Sequence, residues 1–279
     1  MRKGNTANAR ECALSVLVAC RRNGAWADAA LKAQLGKCAL SAQDAALCSR
    51  IVYGVMQNEL LLNWYLSAYC TQKLDHLQPP LSDILRIGAY QILFLDKVPD
   101  HAAVSESVEL CRTNGRSAAS GLVNAVLRKA CSYDLSTASF KNEVERLMVL
   151  GSAGRDVAEF LHKNYPDEAL DILTYKADGG LTSLRANPLK ASAAQLCELL
   201  MQNGAKSAEP GIVPGSVLAR FEGSPAEQAL FRQGYYHVEG QASQLAALCV
   251  EAKPGDTVLD LCAAPGGKTL LLAEEMQGT

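Results

Sequence analysis

The stretch that most limits what this chain can fold into is residues 257–279, TVLDLCAAPGGKTLLLAEEMQGT. TVLDLC is short and mostly apolar, follows a Lys-Pro-Gly-Asp turn, and reads as a buried strand. CAAPGG reads as a tight glycine-rich turn. KTLLLAEEM reads as a helix. Strand, turn and helix in that order form the unit from which open α/β sheets are built, with ligands bound at the carboxyl end of the strand.

Two ligand classes compete for such a turn. The phosphate-loop pattern is G-x-x-x-x-G-K-[ST]. Gly267, Lys268 and Thr269 fit its end, but its leading glycine position holds Cys262. Pro265 has no N–H to give a phosphate oxygen. Asp260, at the tip of the expected strand, would repel a triphosphate. A cationic ligand reverses that objection. S-adenosylmethionine carries an ammonium and a sulfonium, which Asp260 would attract. Gly266 and Gly267 would let the backbone come close to it. The electrostatics favour the methyl donor. A degenerate phosphate loop and a plain strand-to-helix turn remain open.

Upstream, residues 1–135 read as helices. Ala13, Leu14, Leu17 and Val18 recur at helical spacing. SAQD at 41–44 resembles a capping box before a long helix carrying Ile51, Val52, Val55 and Met56. After a break at Pro79–Pro80, Leu81, Ile84, Leu85, Ala89, Ile92 and Leu93 define one apolar face. The expectation is an all-helical bundle. CSYDLSTASF at 131–140 reads as a linker, and residues 141–176 as short helices. From residue 179 strands and helices alternate. Strands are expected in GGLTSLRANP, GSVLARFEG and YYHVEG. Helices are expected in ASAAQLCELLMQNG, SPAEQALFRQG and QASQLAALCVEAKPGD. Three domains are therefore expected: 1–135 all-helical, 136–235 an α/β linking domain, and 236–279 the start of an α/β ligand-binding domain.

Composition excludes some classes. Nearly half the 279 residues are apolar, which argues against disorder. Residues 1–135 hold 15 Lys and Arg against 11 Asp and Glu, while the rest hold 12 against 18. The mildly basic front part is the half suited to nucleic acid. None of the ten cysteines has CxxC spacing, so no metal site is expected and buried reduced thiols are. The opening MRKGNTANARECALSVLVAC ends like a lipoprotein processing site. Its apolar run is short, though, and Glu11 and Arg21–Arg22 flank it closely, so a secretion signal is not expected. No window is long and apolar enough for a membrane span. A monomeric cytoplasmic protein is expected.

DLCAAPGGKT resembles the cofactor motif of the RNA cytosine-C5 methyltransferases, and its C-A-A-P-G-G-K core is the specific part. HAAVSESVEL at 101–110 and VNAVLRK at 123–129 resemble the helical domain shared with the antitermination factor NusB. LTSLRANPLK and GYYHVEGQASQLAA resemble the segment leading into the catalytic domain. The order matches the enzymes of this family that act on 16S ribosomal RNA, over nearly the whole chain. The resemblance implies an all-α NusB-like RNA-binding domain, then α/β structure opening a Rossmann-like methyltransferase domain. It implies S-adenosyl-L-methionine as cofactor and C5 of a cytosine in 16S ribosomal RNA as substrate. Cys262, Ala263, Ala264, Pro265, Gly266, Gly267 and Lys268 carry over as cofactor contacts, and Asp260 is added on charge. Arg10, Arg112, Arg116, Arg128 and Lys129 are candidates for RNA contact, against the alternative of ordinary surface charges.

In the family, a cysteine thiolate adds to cytosine C6 so that C5 can take the methyl group, and a second cysteine helps release the adduct. Those cysteines follow a Pro and a Thr. This sequence contains no Pro-Cys and no Thr-Cys. Cys262 lies in the cofactor loop and is not expected to be the nucleophile. The chain therefore reads as truncated and inactive on its own. Val258, Leu259 and Leu270–Leu272 are expected to lack a sheet to pack on. His101 and His237 have no visible partner and read as structural. A NusB-like RNA-binding module without enzymatic activity is the alternative. A nucleotide hydrolase is the third reading.

Overall fold

The computed structural model describes residues 8–70, 72–77, 80–175 and 180–278. Pro79 and the first seven residues lie outside them. The chain divides into two compact units, Met1–Tyr175 and Lys176–Thr279. The sequence suggested divisions at 135 and 235 instead. The polar-looking stretch at 131–140 is not a free linker, because Trp64 packs against both Tyr133 and Phe140, with ring centroids 6.1 and 5.1 Å away. The Leu61 amide also donates to Ser152 Oγ at 3.2 Å. The helices after residue 140 are thereby built onto the helical unit. Residue 235 falls inside one sheet rather than between two domains.

The first unit is helical: α1 (Ala9–Asn23), α2 (Ala27–Lys37), α3 (Ala42–Gln57), α4 (Glu59–Ser67), α5 (Leu81–Phe94), α6 (Asp100–Thr113), α7 (Ser120–Ala130), α8 (Glu143–Leu150), α9 (Arg155–Asn164) and α10 (Ala169–Thr174). Local chemistry sets the boundaries. The side chains of Asn8, Ser41 and Asn142 accept amides from the first turns of α1, α3 and α8. Gly24, at φ 62°, ends α1 in a left-handed conformation that favours glycine.

Helix α5 is the centre of the bundle. Every residue from Leu81 to Gln91 is buried. The sequence suggested one apolar face of Leu81, Ile84, Leu85, Ala89, Ile92 and Leu93, and Asp83, Arg86 and Gln91 are not part of it. They are buried all the same, because each finds a partner. Asp83 Oδ1 accepts from Arg21 Nε at 2.5 Å and from Arg86 Nη1 at 3.2 Å. Arg86 Nε donates to Asn63 at 2.8 Å, and Gln91 Oε1 accepts from Arg10 Nε at 2.7 Å. Paired polar groups of this kind can be taken out of water, and a helix so enclosed loses its solvent face.

The second unit holds β1 (Leu181–Ala186), α11 (Ala193–Gln202), β2 (Ser207–Pro210), β3 (Ser216–Arg220), α12 (Ala229–Arg232), β4 (Tyr236–Val238), α13 (Gln241–Leu248) and α14 (Gly267–Glu275). The four strands form one sheet in the order β2-β3-β1-β4, with every pairing antiparallel. Leu184 lies opposite Val217 on one side and Val238 on the other. Leu196 and Leu200 of α11 join Leu184, Val217, Ala219 and Tyr236 in a small core. A full capping box between Ser192 and Gln195 starts α11. Strand β2 was not legible in the sequence. It is short, ends in Pro210, and sits at the sheet edge, where a proline costs no ladder hydrogen bond.

The expected buried strand at TVLDLC is a correction. Residues 257–260 take no part in a ladder, and Leu259 and Leu261 are 80% and 86% exposed. An apolar run becomes a strand only where a neighbour takes up its backbone groups. Among the described residues no strand lies alongside this one.

Candidate cofactor site

The loop from Asp260 to Thr269 is closed by one side chain. Asp260 Oδ1 accepts the Cys262 amide at 3.0 Å, and Oδ2 accepts the Thr269 hydroxyl at 2.7 Å. The carboxylate thus clamps the start of the loop to the first turn of α14. These two bonds, the Thr269 hydroxyl foremost, hold the Asp260 carboxyl below the usual carboxylate range, and the nearby Lys268 ammonium adds to the effect. Asp260 therefore carries its negative charge at neutral pH. Between its anchors the chain passes through a cis Ala264–Pro265 peptide and Gly266, at φ 112° and ψ 2°, which caps α14. That conformation is strained for any residue with a Cβ.

Helix α14 is held from below. Leu271 and Leu272 are buried with Ala247 of α13, and Arg185 of β1 donates to Glu274 at 2.9 Å. The expectation that Leu270–Leu272 lack a partner is thus corrected for two of the three. Leu270 remains 45% exposed. Helix α13 is tied to the sheet by Gln244, whose Nε2 donates to the carbonyls of Leu184 and Glu239 at 3.2 and 2.9 Å.

The structure brings Asp260 together with Cys262 and Lys268. Cys262, Ala263, Ala264, Pro265 and Lys268 are exposed, while Gly266 and Gly267 are half-buried. A cavity of about 290 Å³ opens beside Asp260 and Thr269, lined also by Val258, Leu272, Ala273 and Met276. Sequence reasoning missed Thr269 as the second anchor, although it stands in the motif itself. It also missed Glu239 and Ser243, which lie beneath the loop and carry no motif signal.

The candidate RNA residues do not form one cluster. Arg10 is mostly buried and joins α1 to Gln91 and Glu106. Arg112 and Arg116 lie at the α6–α7 turn, whereas Arg128 and Lys129 lie in the last turn of α7. An 11-residue helix separates its ends by about 16 Å. Arg112 is exposed and pairs with Glu109 at 3.5 Å.

Residues 7–132 match the NusB family. Over 274 residues the chain is 31% identical to the probable ribosomal RNA small subunit methyltransferase B of Bacillus subtilis (strain 168), covering 96% of this chain and 60% of that protein. It is thus similar over nearly its whole length to proteins named ribosomal RNA small subunit methyltransferase B. A second relative, the probable ribosomal RNA small subunit methyltransferase B of Synechocystis sp. (strain ATCC 27184 / PCC 6803 / Kazusa), is 29% identical over 275 residues, with 96% and 61% coverage. The chain thus spans about 60% of the length of these two relatives. The crystal structure of PH0851 shares the fold. Its TM-score is 0.68 at 23% identity, over 96% of this chain and 62% of that one.

Proposed function

We propose that the chain serves S-adenosyl-L-methionine-dependent methylation of C5 of a cytosine in 16S ribosomal RNA, and that its own contribution is the cofactor loop. One observation carries this reading: an ionised, solvent-accessible carboxylate, Asp260, stands at the mouth of a glycine turn that opens a helix. The amide end of α14 suits an anion, and Asp260 suits a cation. An amino-acid moiety carries both charges, whereas a triphosphate is anionic throughout. The residues present therefore fit the methyl donor better than a nucleotide. When bound, the cofactor supplies an electrophilic methyl group. Asp260 would hold its ammonium, Gly266 and Gly267 would admit its backbone-facing edge, and Lys268 would stand beside it. The cysteine chemistry of the family has no counterpart here, because no cysteine follows a Pro or a Thr. The chain is accordingly expected to bind cofactor without turning it over.

RNA contact is assigned to the helical unit, through the α6–α7 turn and the end of α7 separately. The NusB match over residues 7–132 also favours RNA binding as an activity in its own right. That activity would weaken steeply with added salt. The cytoplasm is the proposed setting, and a monomer the proposed state.

Photocrosslinking with methyl-labelled S-adenosylmethionine tests the ligand class. Label is expected on the peptide holding residues 257–276, and it is chased by S-adenosylhomocysteine but not by ATP with Mg²⁺. Chase by ATP with Mg²⁺ would make the site a phosphate loop.

A further inference from the structure

Glu239 follows β4 and is 7% exposed. Its backbone is fixed on both sides. The amide donates to the Ser183 carbonyl at 3.1 Å, and the carbonyl accepts from Ser183 Oγ at 2.8 Å and Gln244 Nε2 at 2.9 Å. Its Oε1 accepts from Ser243 Oγ at 3.0 Å, while Oε2 is buried without a hydrogen-bond partner. A buried carboxylate oxygen left in that state is costly unless something nearby favours the charge.

The neighbour is the cofactor loop. A Cβ built on Gly267 would lie 3.0 Å from Glu239 Oε1 and 3.1 Å from its Cδ. Gly267 opens α14, and unlike Gly266 its φ is not positive. Its backbone is therefore one that any residue adopts, and the need for glycine comes from the carboxylate pressed against it. A helix's first turn has amides without intrahelical acceptors and the positive end of the dipole, which together stabilise an anion placed there. The Ser243 hydroxyl that donates to Glu239 also lies 3.5 Å from Lys268 Nζ. The sheet is thus linked to the loop by Glu239, Ser243 and Lys268 in turn.

We propose that Glu239 is a positioning residue of the loop: its buried carboxylate, seated under Gly267 and relayed by Ser243 to Lys268, fixes where α14 begins and where the lysine ammonium points. Its effect on cofactor affinity rests on the function proposed above. Its effect on the loop does not.

The test uses the whole chain and compares wild type, Glu239→Ala, Gly267→Ala and the double variant of those two, with Glu239→Gln as a fifth protein. Hydrogen exchange is read at the Leu270 amide, bonded to the Gly266 carbonyl at 2.8 Å, with the Ala186 amide of the sheet, bonded to Gly215 at 2.9 Å, as control. Each single substitution is expected to speed Leu270 exchange at least about tenfold with the control unchanged. The double variant is expected to be no faster than Glu239→Ala alone, because the added methyl group enters the space the carboxylate left. Glu239→Gln, which keeps the volume and an acceptor for Ser243, is expected to restore most of the protection. S-adenosylmethionine affinity should follow the same order, falling about tenfold in Glu239→Ala. Leu270 protection unchanged in Glu239→Ala, or strictly additive effects of the two substitutions, overturns the proposal. A wild-type chain that binds no S-adenosylmethionine overturns the proposed function, while the exchange result still decides the role of Glu239.

Discussion

Asp83→Ala is expected to lose about 3–5 kcal/mol of stability, the cost of removing one partner from a buried ion pair. The Asp83 side chain is fully enclosed and that of Arg86 is 2% exposed. The carboxylate neutralises two guanidiniums at once, Arg21 at 2.5 Å and Arg86 at 3.2 Å. Without it Arg86 keeps partners such as Asn63 at 2.8 Å and Glu59 at 3.7 Å but loses the fully enclosed carboxylate 3.2 Å away. Arg21, more exposed and still bonded to Glu59 at 2.8 Å, suffers less. The loss corresponds to a fall of about 10 °C in the melting midpoint, read by circular dichroism. Asp83→Leu combined with Arg86→Met should recover most of it, since well-packed apolar side chains replace buried ion pairs at little cost. An Asp83→Ala protein within 1 kcal/mol of wild type would mean that the cluster does not stabilise the bundle.

Gly54→Ala is the second large effect, and its sign is informative. On helix propensity alone the change should stabilise α3 by about 1 kcal/mol. Packing opposes it. A Cβ at Gly54 would fall 2.0 Å from Tyr90 Cζ and 2.2 Å from its hydroxyl. Tyr90 belongs to α5 and is stacked on Phe94 at 5.2 Å, so its ring has little room to retreat. Overpacking of this kind costs about 3 kcal/mol, which leaves a net destabilisation of about 2 kcal/mol. Chemical denaturation of Gly54→Ala in the wild-type and Tyr90→Leu backgrounds separates the two terms. The substitution should destabilise the first and be neutral or stabilising in the second. Stabilisation in both would show that the α3–α5 contact is looser than the structure has it.

Both cases mark where the sequence stopped being legible. Elements whose signals are local could be read directly: the cap at Ser41, the helix in ASAAQLCELLMQNG and the strand in GGLTSLRANP. The burial of Asp83 and Arg86 was not legible, because polarity along one helix says nothing of partners on another, such as Arg21 and Glu59. Gly54 carries no signal of its own in the sequence and is the gap that Tyr90 fills. TVLDLC has strand composition, but a strand also needs a neighbour. In the site, the motif singled out Cys262 to Lys268, which the structure places in a turn and the first residues of α14, and the charge argument added Asp260. Glu239 was out of reach, since its role depends on how the end of β4 meets the start of α14.

The most direct test of the cofactor assignment is a calorimetric titration of the whole chain with S-adenosylmethionine, repeated on Asp260→Asn. This change keeps the shape of the side chain, an acceptor for the Cys262 amide and an NH2 that can donate to the Thr269 hydroxyl, and removes the charge. Saturable one-to-one binding that weakens at least about tenfold in Asp260→Asn is the expected result, the loss set by one desolvated charge contact. Binding unaffected by the substitution, or no binding by the wild-type chain, would contradict the assignment.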